Sequence, residues 1–103
     1  MEYIIITTTF SDENEAKQMA QNLLSKRLIA CGQIGHIESI YMWKDKNFDT
    51  KEYILTMKTK FNLFNEVEKH IKENHSYEVA EIVATPIANI SSEYASWIDA
   101  SVI

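Results

Sequence analysis

From "EYIIITTT" (2–9) to "SDENEAKQMAQNLLSKRLIA" (11–30) the apolar residues change their spacing from a β-branched run to every third or fourth position, and the same switch recurs further along the chain. The first segment, β-branched and aromatic, reads as a strand. The second places Ala16, Met19, Ala20, Leu23 and Leu24 at helical spacing and leaves Lys17, Gln21 and Lys26 outside. Ser11 or Asp12 can cap this helix, with Asp12 and Glu15 in capping-box positions. Cys31 to Trp43 reads as a second strand, "KDKNFDTK" (44–51) as a polar hairpin link, and "EYILTMKTK" (52–60) as a third strand. A second helix follows in "NLFNEVEKHIKENH" (62–75), with Phe64, Val67 and Ile71 on one face. "EVAEIVATPI" (78–87) reads as a fourth strand, stopped by Pro86, which cannot donate to a ladder. Ser91 or Ser92 can cap a last helix, "SEYASWIDASV" (92–102), whose Tyr94, Trp97 and Ile98 are apolar.

The order β-α-β-β-α-β predicts an α+β, ferredoxin-like domain with an additional C-terminal helix. With no repeat, linker or low-complexity segment, residues 1–103 form one domain. The helices of this arrangement cover one sheet face, yet the strands look apolar on both: Ile4 and Ile6 alternate with Tyr3 and Ile5, and Ile40 and Met42 with Tyr41 and Trp43. Only the short last helix is left over. A closed homo-oligomer is the simplest cover for the second face.

Charge and composition remove several functions. The net charge of −5, with its lysines scattered, argues against a nucleic-acid groove. No apolar stretch approaches the roughly 20 residues of a membrane span. An acid in "MEYIIITTTF" stands where a secretory leader would be basic, and the one cysteine excludes an internal disulfide; both fit a cytoplasmic protein. Two glycines, Gly32 and Gly35, exclude a Gly-rich phosphate loop. Ser76 has no partners for a triad. An RNA-recognition motif, a CxxC metal chaperone and an acylphosphatase-like anion loop each lack their residues as well.

A metal site is the sharper possibility. Copper(II) favours imidazole, and thiolate suits copper(I) and zinc, but no CxxC or HxxxH spacing is present. His70 and His75, five apart, diverge on a helix. Cys31 reads as a small buried strand residue or a soft ligand, and His36, beside Gly35, as an exposed turn residue. His75 falls where the second helix ends. It can interact with the helix C-terminus as a cation, or hold a weak transition metal with Glu78, Glu81 or a neighbouring subunit. Tyr41, Trp43, Tyr77, Tyr94 and Trp97 are core or interface anchors, or the lining of a pocket. Glu52 and Lys58 share a strand face but are too far apart to touch.

Five stretches in order resemble the CutA family of divalent-cation tolerance proteins over nearly the whole chain: "RLIACGQ" (27–33), "SIYMWKDK" (39–46), "EYILTMKT" (52–59), "HSYEVAEIVATPI" (75–87) and "YASW" (94–97). The resemblance implies a ferredoxin-like subunit in a tight homotrimer, with extended strands pairing between neighbours. It also implies a non-catalytic role in metal tolerance or response, no required cofactor, and weak binding of copper(II) or another divalent metal. Cys31, Tyr41, Trp43, Glu52, Lys58, His75, Tyr77 and Glu81 occupy the family's recurrent positions, near a cleft between subunits that Trp97 would also help to line. Among the metal-ligand candidates His75, Glu78, Glu81 and Cys31, the resemblance favours His75, and binding through it should fall below about pH 6 as protons compete for the imidazole. A likeness in architecture to the PII signalling proteins implies an alternative: a small-molecule sensor or assembly scaffold, with an anion or metabolite near Lys58. The chain departs from the family pattern at Ser76 and Ala80, which replace prolines, at Asp45, where the hairpin usually has glycine, at Thr8, where some members have cysteine, and at Gln33, which replaces asparagine.

Overall fold

A computed structural model of the protein describes residues 2–103. Its elements are β1 (Tyr3–Phe10), α1 (Glu13–Ser25), β2 (Cys31–Trp43), β3 (Lys46–Lys60), a 3-10 turn (Phe61–Leu63), α2 (Phe64–Asn74), β4 (Val83–Pro86) and α3 (Ser92–Ser101). The four strands form one antiparallel sheet in the order β2-β3-β1-β4, the expected ferredoxin-like arrangement.

The pleat sorts the side chains. Ile4, Ile6 and Phe10 of β1 and Leu55 and Met57 of β3 are fully buried, and they pack with Ala16, Met19, Ala20 and Leu23 of α1 and Val67 and Ile71 of α2. Gly32 sits where a Cβ would lie 3.1 Å from the Cβ of Ala20 and 3.2 Å from Cδ1 of Leu55, so its lack of a side chain lets α1 approach the sheet. On the opposite face α3 covers one end of the sheet. The Tyr3 hydroxyl donates to Asp99 (2.9 Å), Lys60 pairs with Asp99 (3.4 Å), and Cys31 Sγ lies 3.7 Å from the Tyr94 hydroxyl. Arg27, in the left-handed region (φ 58°), donates from its guanidinium to the carbonyls of Ala100 and Ser101 and so ends α3.

Two strand boundaries and one helix cap differ from the sequence reading. The stretch "KDKNFDTK" is mostly strand: only Lys44 and Asp45 turn, with φ of 51° and 65°, in the manner of a two-residue I′ hairpin. β3 therefore starts at Lys46, and its segment before Tyr53 pairs with β2 alone, making a two-stranded arm that projects beyond β1. Secondly, Asp12 caps α1 through the Asn14 N–H (3.2 Å), while Glu15 serves as no box partner and binds Ser76 through its N–H and hydroxyl, both at 2.9 Å.

Thirdly, β4 pairs only over Val83–Pro86, shorter than the expected 78–87. The Ile87 N–H donates to the Tyr3 carbonyl, so the odd-numbered carbonyls of β1 point toward β4. The Thr9 carbonyl, which a longer β4 would need, is taken by the His75 side chain. Pro86 faces Ile4 in a pair whose missing N–H points off the sheet edge.

Candidate functional site

His75 follows the last residue of α2 with an extended backbone (φ −94°, ψ 142°), and its side chain is 1% exposed. The ring lies flat on Phe10, with centroids 4.3 Å apart and planes 8° apart. Nε2 donates to the Thr9 carbonyl at 2.8 Å, and Nδ1 accepts the Tyr77 N–H at 3.0 Å. The Glu15 carboxylate is 4.0 Å from Nδ1, too long for a hydrogen bond and already engaged with Ser76. The neutral tautomer with hydrogen on Nε2 satisfies both contacts and leaves no lone pair for a metal. Within the protomer the ring is a stacked, hydrogen-bonded spacer between β1 and the segment after α2, with both its nitrogens engaged.

That segment carries the site. Fixed at its N–H by His75, Tyr77 extends its hydroxyl to Glu52 Oε2 at 2.5 Å. Glu52 is 7% exposed and, among the described residues, the one buried Asp, Glu, Lys or Arg. Burial first, and then the bond to Glu52, hold the Tyr77 phenol well above its usual range. Glu81 lines the same cleft; partial burial first and then the Glu52 charge push its carboxyl up. These groups open into a cleft of about 600 Å³ at the root of the projecting arm, where Tyr41, Trp43 and Phe48 supply aromatic walls. Tyr41 and Phe48 stack at 5.4 Å. At the rim, Lys44 Nζ lies 5.6 Å from the Trp43 ring centre and 3.7 Å from Glu78.

The expected site residues thus divide. Tyr41, Trp43, Glu52, Tyr77, Glu78 and Glu81 meet at this cleft. Cys31 does not: it lies opposite Lys58, toward the other end of the sheet from Thr9, against Tyr94, whose phenol burial pushes up. Lys58 spends its ammonium on Gln33 Oε1 at 2.6 Å, and Trp97 packs near Tyr94, so within the protomer neither lines the cleft. Among the described residues no three His, Cys, Asp or Glu side chains converge to hold a metal ion. The cleft offers a divalent ion the carboxylates of Glu52 and Glu81, with that of Glu78 toward the rim, and no imidazole or thiolate. This donor set fits a loosely held, oxygen-ligated cation and not a tight copper centre. Phe48 and Lys44 were invisible as site residues, because both fall in what reads as a polar link.

Known proteins resemble this chain along almost its full length. A family profile described as "CutA1 divalent ion tolerance protein" matches residues 4–101. The divalent-cation tolerance protein CutA of Pyrococcus horikoshii is 34% identical over 95 residues, covering 92% of this chain and 93% of that one. The crystallised divalent cation tolerance protein CutA of Archaeoglobus fulgidus, described as periplasmic, superimposes with a TM-score of 0.94 at 34% identity, covering 96% of this chain and 97% of its own. Rice (Oryza sativa subsp. japonica) has a CutA 1 described as chloroplastic, 33% identical over 96 residues, of which this chain spans 54%. These two relatives overturn the expectation of a cytoplasmic protein. Absence of a disulfide and an acidic start are compatible with other destinations, and the family is not confined to one compartment.

Proposed function

The chain belongs to the CutA1 divalent ion tolerance family, and from that premise we propose that it serves metal tolerance by binding, without catalysis, as a homotrimer that holds a divalent cation weakly at the carboxylates of the arm-root cleft. The observation carrying this reading is the pair Glu52 and Glu81. One is buried, the other lines the same cleft, and Glu81 ionises less readily because of its partial burial first and the Glu52 charge second. A divalent ion placed between them relieves that repulsion. Copper(II), expected from the sequence, stays first among ions to test, since it binds oxygen donors more tightly than the other first-row divalent ions do.

Calorimetric titration of copper(II) and manganese(II) into the protein at neutral pH is the test. Saturable binding that Glu81→Gln and Glu52→Gln each weaken, and that His75→Ala leaves at unchanged stoichiometry, is the expected result. Binding indifferent to both carboxylates would sink the assignment. The trimer rests on the projecting arm, whose Ile40 and Met42 are 78% and 62% exposed in the single chain and call for a cover.

One observation favours a second reading. A cleft of about 600 Å³ is far larger than a bare ion needs and falls in the range of small-molecule sites. This supports a PII-like sensor or assembly scaffold with no physiological metal site, and a metabolite that shifts the melting temperature in proportion to its concentration would favour it.

A further inference from the structure

At the rim of the cleft, on the exposed side of Trp43, stands an ammonium of the protein's own. Lys44 Nζ sits 5.6 Å from the Trp43 ring centre with the Glu78 carboxylate 3.7 Å away. A positive charge over an indole, flanked by a carboxylate, is the arrangement by which proteins recognise organic cations. Deeper in the same cleft the pattern repeats without a resident cation. Tyr41, Phe48 and Tyr77 offer further rings, and the Glu52 and Glu81 carboxylates line the same space. Oε2 of Glu52 receives a hydrogen bond from the Tyr77 hydroxyl, and the residue as a whole is 7% exposed.

An inorganic divalent ion makes no use of aromatic walls, because its hydration shell keeps it from them. An organic ammonium uses both parts of the cleft: its charge pairs with the carboxylates while its alkyl groups desolvate against the rings. We propose that this cleft binds a small organic ammonium, a methylated or primary amine of a few carbons, and that Lys44 is a built-in competitor which such a ligand displaces from Trp43. The proposal goes beyond the divalent-cation reading and does not depend on it, since the aromatic wall is dispensable for a metal ion.

The test is calorimetry on the full-length, assembled protein with tetramethylammonium chloride, against sodium chloride at equal ionic strength and manganese(II) chloride as a parallel titration. Saturable tetramethylammonium binding is expected, weakened about fivefold by Trp43→Leu and retained by Trp43→Phe, while the manganese(II) isotherm stays as in the wild type. Lys44→Asn, which keeps a residue tolerant of the left-handed turn, is expected to tighten tetramethylammonium about threefold by removing the competitor. Should Trp43→Leu lose its fold or its assembly in a melt and a light-scattering run, the Lys44→Asn result decides. Heats for tetramethylammonium no different from those for sodium, in both the wild type and Lys44→Asn, overturn the proposal. Binding that a folded Trp43→Leu leaves unchanged overturns it too, because charge alone then accounts for it. Loss of manganese(II) binding with tetramethylammonium binding intact would reject the metal reading and leave this one standing.

Discussion

His75 and Glu81 are both polar residues of one short segment, and the fold uses them in opposite ways. The imidazole is consumed: two hydrogen bonds and a stacking partner hold it at 1% exposure. His75→Ala leaves the Thr9 carbonyl and the Tyr77 N–H without their partners and opens a ring-sized hole. Urea unfolding should therefore show a loss of about 3 kcal/mol. A loss under about 1 kcal/mol would mean the ring is not the spacer described. Glu81 is left over, with its carboxyl harder to ionise in the folded chain than in the unfolded one. The folded state then holds that proton more tightly, so the group favours folding at acid pH and its contribution is lost as pH rises from the ordinary carboxylate range through the raised folded value. Glu81→Gln should raise the melting temperature at pH 7, and its advantage should close as pH falls to about 4. A gap that widens toward acid would contradict the raised carboxyl that partial burial and the Glu52 charge give Glu81.

Among the elements, the β2–β3 arm depends on two residues with positive φ, neither of them glycine. Asp45→Gly removes the Cβ strain of the left-handed conformation and should stabilise the protein by about 0.5–1 kcal/mol in chemical denaturation, without moving the cleft. α3 depends on the chain's one arginine. Arg27 holds two of its terminal carbonyls while its own carbonyl receives the Ile103 N–H. Arg27→Ala should cost about 1–2 kcal/mol and speed amide exchange in α3 well before the sheet. The strands and helices that announce themselves by period were legible: Ile4, Ile6, Leu23, Val67 and Ile71 lie in the core as their spacing requires. The arm was not legible between residues 44 and 51, since its Lys, Asn and Asp side chains read as a loop. Their strand geometry comes from pairing with β2.

At the scale of the whole molecule, the protomer is elongated, 44 × 26 × 22 Å, because the arm stands clear of the body with Ile40 and Met42 facing solvent. Covering both with further copies of the chain accounts for their exposure better than a lone monomer does. Light scattering at micromolar concentration should give about three chain masses, and the melting temperature should rise with protein concentration. Met42→Lys on the arm should lower the mass. A wild-type mass of one chain would remove the homotrimer and, with it, the reading of the cleft as an intersubunit site.

By itself the sequence determined the order of elements, the core-facing residues and the family, because these depend on local period and on motifs carried intact along the chain. The candidate cleft was partly written there too, in Tyr41, Trp43, Glu52, Tyr77 and Glu81. Only the tertiary structure decided which polar groups remain available. Hydrogen-bonding capacity is finite, and contacts distant in sequence allot it. The Thr9 carbonyl claims His75 across 66 residues, Gln33 claims Lys58 across 25, and Glu52 claims the Tyr77 hydroxyl across 25, so only what these contacts leave over at the root of the arm stays open to a ligand.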